Sequence, residues 1–446
     1  MGQRSAILAR ILGFDGWRVD EHYFETKDGE RVVPVGSFRL FRGTLLVLRV
    51  EPRWLQRCSQ CGKVCPILHE EGGARPRRWR DLTWGDHHVV IEYATRRVKC
   101  RSCDAHCVEM VAWADPRQRT TRRLQQRIAL DCSAAPLSHV AERYGMSWSA
   151  VRRAEAQAIA RWERTRPPPV VTQVGVDEKY LGRRNKLDEK FVTIVSDLST
   201  GEPMWIGMGR RMQTLGAWLA TLTEDDKQRI DLFAMDMHAP FYEAVDQAPG
   251  LEHVAIVHDA FHIMKRVGEA IDDVRRAVFF RAGPEMRALG RGKRWLLLRA
   301  WERNTPAQQA EIRSVLSYNG KLARAYQLKE EIRALVIGAP NGDAMMLGLE
   351  HVWRRTRRST LAAIRRLGDS LEAHVDGIAA LAEYRPPAGR IEALNNNWET
   401  LVRRARGYRD HQYLLRKLRF MVANPLRTRA GRDVFADLDQ VTQLAA

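Results

Sequence analysis

At 446 residues, with 73 Lys and Arg against 54 Asp and Glu, the chain carries a formal charge of +19. That excess excludes an acidic disordered chain and calls for an anionic macromolecular partner, because such a field draws phosphates and raises encounter rates. The length predicts about three domains, and 45% hydrophobic residues predict a folded core. No apolar run nears the ~18 residues that span a bilayer. The opening Met1-Gly2-Gln3-Arg4-Ser5-Ala6 holds no signal-peptide stretch, so a cytoplasmic chain with no membrane partner is expected.

Six of the seven cysteines fall into two clusters, Cys58, Cys61 and Cys65, then Cys100, Cys103 and Cys107; Cys132 stands apart. Two thiolates two residues apart on a tight turn can face one ion, and two such turns complete a tetrahedron. The pairs Cys58-x-x-Cys61 and Cys100-x-x-Cys103 therefore predict a structural Zn²⁺ site. Gly62 supplies the permissive backbone of the first knuckle. Cys65, Cys107 and His106 are rival ligands that spacing does not exclude. Between the knuckles, His87–Tyr93 reads as a strand of a zinc-ribbon-like module, and the nearby Arg75, Arg77, Arg78, Arg80, Arg96, Arg97 and Arg101 are candidates for phosphate contact.

From Thr120 to Trp162 the pattern turns helical. Leu137, Val140, Ala141 and Tyr144 form one apolar stripe after Pro136. Gly145 permits a positive-φ turn, and Ser147 is placed to cap a second helix whose Val151 packs back on the first. This predicts an all-α helix-turn-helix that offers Trp148, Ser149, Arg152 and Arg153 to a DNA groove. Arg166-Pro167-Pro168-Pro169-Val170 then reads as a stiff linker and domain boundary.

Beyond it, apolar runs end repeatedly in acids: Val174–Asp177, Ile230–Asp236 and Val254–Asp259, with two further strands at Lys190–Val195 and Pro203–Gly207. Strands ending in Asp at one sheet edge bring like charges together, which makes sense around a cation. Asp197 reads as a turn residue. A long helical stretch follows, and then Glu392, Asn395, Asn396 and Glu399 at i, i+3, i+4 and i+7, one helical face. The order β-β-β-α-β-α-β with a late helix bearing Glu is the α/β ribonuclease H-like plan, here with a long helical insertion, preceded by the zinc-ribbon-like module and the helix-turn-helix.

These pieces resemble the DDE transposases of the ISL-three family of bacterial insertion sequences. The resemblance rests on Gly175-Val176-Asp177-Glu178, Met235-Asp236-Met237, His258-Asp259-Ala260-Phe261-His262, and Ile391-Glu392-Ala393-Leu394-Asn395-Asn396 followed by Arg403-Arg404-Ala405-Arg406-Gly407-Tyr408-Arg409-Asp410. The resemblance implies a catalytic triad Asp177, Asp236 and Glu392 holding Mg²⁺ (or Mn²⁺). Asp259, Asn395, Asn396, Arg403 and Arg404 are expected near the site, with His262 beside Asp259. It implies cleavage and strand transfer on double-stranded DNA, both terminal inverted repeats and target, by a homodimer on the DNA, associated with the bacterial nucleoid. The expected domains are 1–115 (zinc), 116–166 (helix-turn-helix), 167–425 (catalytic, with its insertion at about 265–385) and a tail 426–446. The alternative is a non-catalytic zinc and helix-turn-helix transcriptional regulator.

Overall fold

The computed structural model describes residues 16–26, 28–32, 44–53, 55–66, 76–85, 87–167, 169–181, 189–279, 283–387, 389–405, 408 and 410–423. The opening residues, Arg75, Pro168, Arg406, Gly407, Arg409 and the expected tail 426–446 lie outside the described residues. The chain forms two compact units: residues 1–167 with 402–409 and 423–446, and residues 168–401 with 410–422.

In the first unit, β1 (Trp17–Glu25), β2 (Arg31–Val32), β3 (Leu45–Pro52), β4 (Arg77–Arg80) and β5 (His88–Tyr93) make one sheet in the order β2-β1-β3-β5-β4. β3 and β5 pair in parallel. Leu46, Leu48 and Val50 alternate inward with Val89 and Ile91, against Trp79 and Trp113. On the sheet, buried Glu92 takes Arg49 Nη2 at 2.8 Å and Arg78 Nε at 2.8 Å. Of these strands the sequence predicts β5 but not β1 and β3. β6 (Arg97–Lys99) and β7 (His106–Val108) pair antiparallel on either side of the second knuckle.

The helix-turn-helix follows as α1 (Arg122–Ala134), α2 (Leu137–Tyr144) and α3 (Trp148–Thr165). The predicted stripe Leu137, Val140, Ala141 and Tyr144 is buried with Leu124, Ile128 and Val151. Gly145 sits at φ 56° and its N–H bonds the carbonyls of Ala141 and Glu142, ending α2 without strain. The Ser147 hydroxyl accepts the N–H of Ala150 at 3.3 Å and starts α3.

In the second unit, β8 (Gln173–Tyr180), β9 (Phe191–Asp197), β10 (Pro203–Met208), β11 (Leu232–Met235) and β12 (Ala255–His258) form a sheet in the order β10-β9-β8-β11-β12. The first three strands are antiparallel, while β11 runs parallel to β8 and β12 parallel to β11. The parallel pairs need crossovers, supplied by α4 (Met212–Leu219) and α5 (Glu224–Arg229) before β11 and by α6 (Ala239–Asp246) after it. Leu215, Trp218, Phe241 and Val245 of these helices cover Val174, Val176, Phe233 and Met235.

The expected helical segment is α7 (Ala260–Phe279), α8 (Pro284–Gly290), α9 (Arg294–Leu298), α10 (Pro306–Ser317), α11 (Gly320–Gly338), α12 (Gly342–Arg357), α13 (Ala362–Glu372) and α14 (Val375–Tyr384). Its core joins the sheet through Leu232 and Val257. α15 (Gly389–Ala405) and α16 (His411–Ala423) complete the fold. Among the described residues no helix is long and apolar enough to cross a membrane.

Candidate active site and metal centre

Register places the acids. Val176 of β8 is paired with Met235 of β11, and Met235 with His258 of β12. The next residue on each strand line is Asp177, Asp236 and Asp259, so the three carboxylates form one row across neighbouring strands. Glu392, on α15, lines the same cleft as the row. Ile391, beside it, packs against Leu198 and Ala234. Gly175 leaves room for this: a Cβ there would lie 2.7 Å from Leu198 Cδ2, 2.8 Å from Ser196 Oγ and 3.3 Å from Ile391 Cγ1. The bare backbone at Gly175 lets α15 come down on the strand two residues from Asp177.

Asp177, Asp236, Asp259, His262, Glu392 and Asn395 all line one cleft of about 330 Å³. Asp177 Oδ1 accepts the N–H of Glu178 at 2.8 Å, Asp236 Oδ1 that of Met237 at 2.6 Å, and Asp259 Oδ1 that of Phe261 at 2.9 Å. Each carboxylate is thus held by backbone on one oxygen, leaving the other for the cleft. Asp177 Oδ2 is buried without a hydrogen bond and has Lys179 Nζ 3.4 Å away. His262 stands between two acids, Nδ1 at 3.4 Å from Asp259 Oδ2 and Nε2 at 3.9 Å from Asp236 Oδ2. Burial works against a charged His262, but the Asp259 carboxylate beside it and the charges of Asp236 and Asp177 outweigh that, holding its pKa above the ordinary imidazole value. Lys179, Lys265 and His262 are the cationic groups of the cleft and offset the crowded acids. A row of oxygen donors with an orphaned buried carboxylate oxygen fits a hard divalent ion.

Some expectations need correction. Arg403 and Arg404 do not line the cleft. Arg404 Nη1 donates to the carbonyl of Ser133 at 2.9 Å, within the first unit. The reason is helix rise: eleven residues beyond Glu392 is about 16 Å along the axis. Asn396 is exposed and turned about 100° from Asn395, so it is not among the lining residues either, whereas Asn397 is buried. Glu178 borders the cleft and pairs with Arg210 at 3.0 Å. Lys179 was missed, although strand alternation puts i+2 on the face of Asp177. Asp197 is the turn residue expected: its carboxylate accepts the N–H and hydroxyl of Ser199 and the hydroxyl of Thr200.

In the first unit the sulfurs of Cys58, Cys61, Cys100 and Cys103 lie within 4.8 Å of one another. Cys61 to Cys100 is 3.4 Å and Cys58 to Cys103 is 3.7 Å. Tetrahedral bonds of ~2.3 Å to zinc put sulfurs about 3.8 Å apart, so the four fit that ion. Backbone N–H groups of Cys103 and Ser102, working against burial, hold the Cys100 thiol down at about 6, where the thiolate a metal needs is favoured. Of the rivals, Cys107 Sγ lies 3.6 Å from Cys58 Sγ. Cys65 Sγ is buried, donates to the carbonyl of Lys63 at 3.1 Å, and is pushed up to about 11, first by burial. On α3, Trp148, Ser149 and Arg153 are exposed and Arg152 half-buried, with its guanidinium 5.7 Å from the Trp148 ring centre.

Comparison with known proteins covers these same segments. Residues 174–418 match a family model described as "Transposase", residues 109–158 one described as "Helix-turn-helix domain of transposase family ISL3", and residues 54–103 one described as "zinc-finger of transposase IS204/IS1001/IS1096/IS1165". The chain is 29% identical over 365 residues to the transposase for insertion sequence element IS1001 of Bordetella parapertussis, covering 81% of this chain and 87% of that one. It is 25% identical over 429 residues to the transposase for insertion sequence element IS1557 of Mycobacterium tuberculosis, covering 89% and 93%.

Proposed function

The chain belongs to the ISL3 family of transposases, and we propose that Asp177, Asp236 and Glu392 are the carboxylates with which it cuts and joins DNA. The observation that carries this reading is the in-register row of acids on β8, β11 and β12 with Glu392 brought to the same cleft by α15. The strand order of that unit supports a ribonuclease H-like catalytic domain. Mg²⁺ or Mn²⁺ held by these oxygens supplies the Lewis acidity that makes a water nucleophilic and stabilises a departing 3′ oxygen.

The protein's own residues do the rest. Asp177, Asp236 and Glu392 are the ion ligands. Asp259 and His262 fix the arrangement of Asp236, and the amide of Asn395 is placed to orient a phosphate. A water attacks the phosphodiester at the element's end, and the freed 3′-OH then attacks target DNA, with no covalent protein intermediate. Cys58, Cys61, Cys100 and Cys103 hold a structural Zn²⁺. The exposed N-terminal turn of α3 enters a groove of the terminal inverted repeat, with phosphate contacts for grip and base edges for choice. Cutting and joining two ends requires at least a dimer on the DNA, working on the nucleoid in the bacterial cytoplasm. A transcriptional regulator would account for α1–α3 and the cysteines but for none of the acids in the cleft.

The test is incubation of wild type and Asp236→Asn with end-sequence DNA, with and without Mg²⁺. Wild type is expected to nick only with the metal. Asp236→Asn is expected to bind the same DNA and leave it whole. Robust cleavage by the variant would overturn the assignment.

A further inference from the structure

Between Asp259 and Glu392 in the chain, the second unit carries a basic cleft that this chemistry does not use. Its volume is about 270 Å³, and Lys321, Arg324, Arg355 and Arg358 rise around an apolar floor that includes Leu328 and Ile364. No carboxylate lines it. Arg355 is paired with Glu331. Among the described residues Lys321, Arg324 and Arg358 have no acidic partner.

Part of this charge is explained by the helices alone. α12 ends in Arg354, Arg355 and Arg357, and cations are favoured at the negative end of a helix. Arg354 pairs with Glu350 there, and Arg357 lies 4.7 Å from the Trp353 ring centre. Lys321 and Arg324 are the opposite case. They lie in the first two turns of α11, at its positive end, where no acidic residue stands in the first turn. Asn319 Oδ1 accepts the N–H groups of Lys321 and Leu322, each at 3.0 Å, so the cap itself is satisfied. Lys321, in the first turn, stands against the dipole, and facing Arg324 and Arg358 adds like-charge repulsion. Stability alone disfavours this arrangement, and an anion between the helices would add attractions to the cations and to the helix end that offset these repulsions.

We propose that this cleft grips the phosphate backbone of duplex DNA through Lys321, Arg324 and Arg358, adding to the protein's hold a contact that reads no sequence. The cations are exposed and spread over the ends of two helices around an open cleft. That suits a continuous polyanion better than a single enclosed phosphate. The proposal rests on the reading of the protein as a DNA-processing enzyme and extends it to where the substrate lies.

The experiment uses the full chain carrying Asp236→Asn, in magnesium-free buffer without chelator, with and without the triple change Lys321→Gln, Arg324→Gln, Arg358→Gln. Affinity for duplex DNA is measured from 50 to 300 mM salt. Each lost phosphate contact lowers the slope of log affinity against log salt by about 0.9. The triple variant is expected to lose about 2–3 from the slope and to bind at least tenfold more weakly at 50 mM, the gap closing as salt rises. The charge-conserving set Lys321→Arg, Arg324→Lys, Arg358→Lys is expected to keep the wild-type slope. An unchanged slope in the neutralised variant, or an equal loss in the charge-conserving one, would overturn the proposal. So would 10 mM inorganic phosphate raising the melting temperature of the parent but not of the neutralised variant while the DNA slope stays put, which would mark a small-anion site. Cleavage by wild type with Mg²⁺ is scored separately: its failure would sink the triad and leave the slope result standing, and the reverse holds equally.

Discussion

Gly175→Ala isolates the packing that delivers Glu392 to the cleft. The backbone at Gly175 is ordinary strand, so the substitution brings no φ penalty and acts through its added methyl. That methyl would meet Leu198 Cδ2 at 2.7 Å and Ile391 Cγ1 at 3.3 Å. Leu198 is fully buried and Ile391 nearly so, so neither can step aside without moving what it touches. Overpacking of this size costs about 1–3 kcal/mol. If α15 yields by about 1 Å, Glu392 leaves its working position, and a displacement on that scale costs about 10²-fold in rate. The assay is single-turnover cleavage at saturating end DNA, run beside thermal melting. The expected result is a lowered melting temperature and a rate loss of about 10- to 100-fold with DNA affinity unchanged. Adding Leu198→Ala removes the shortest of the methyl's contacts, leaving Ser196 Oγ at 2.8 Å, so the double variant should be less impaired than the two single changes summed. A Gly175→Ala protein that melts and cuts like wild type would refute the idea that this contact seats the helix.

Cys58→Ser should abolish the bound zinc and lower the melting temperature, since structural zinc contributes folding energy directly. Cys65→Ser should keep one zinc per chain, and atomic absorption on both proteins decides between the ligand sets. Burial opposes ionisation of Glu92, but its bonds to Arg49 and Arg78 outweigh this and its pKa is lowered. Its contribution is therefore complete above the ordinary carboxylate range and is lost as pH falls through the lowered value. Glu92→Gln should destabilise at pH 7 by about 1–2 kcal/mol, discounted for the half-exposed arginines, and the gap to wild type in urea melts should shrink towards acid pH. A gap that widens there would contradict the sign. Gly145→Ala must adopt φ near 56° and place a Cβ 3.1 Å from His88 Nε2. A loss of about 1 kcal/mol is expected in thermal melts, and a neutral result would deny the turn its role.

What the sequence disclosed follows from how local each signal is. The helix-turn-helix was legible because Gly145 and Ser147 do their work within a few residues of themselves. The strands ending in acids were legible because runs such as Leu232–Met235 are apolar throughout, as buried parallel strands are. The choice among six cysteines was narrowed by distances, which spacing alone does not contain. Nothing near Gly175 in the chain signals what it packs against, since its partner Ile391 lies more than two hundred positions later. Arg403 and Arg404 were expected near the cleft from the resemblance, but eleven and twelve residues of helix rise at 1.5 Å each carry them away from Glu392. The parallel pairing of β3 with β5 depended on a long-range match that the residues from Trp17 to Pro52 do not signal alone.

The order in which the cleft's acids appear along the chain also matters during synthesis. Asp177, Asp236 and Asp259 leave the ribosome well before Glu392, with all of α7–α14 emerging in between. At about 5–20 residues per second, the 133 residues from Asp259 to Glu392 take roughly 7–27 seconds. Throughout that interval the nascent polypeptide already contains the whole of α1–α3 yet lacks its last acid. A chain ended in that window would hold α1–α3 and the three aspartates but neither Glu392 nor the residues 402–409 that belong to the first unit.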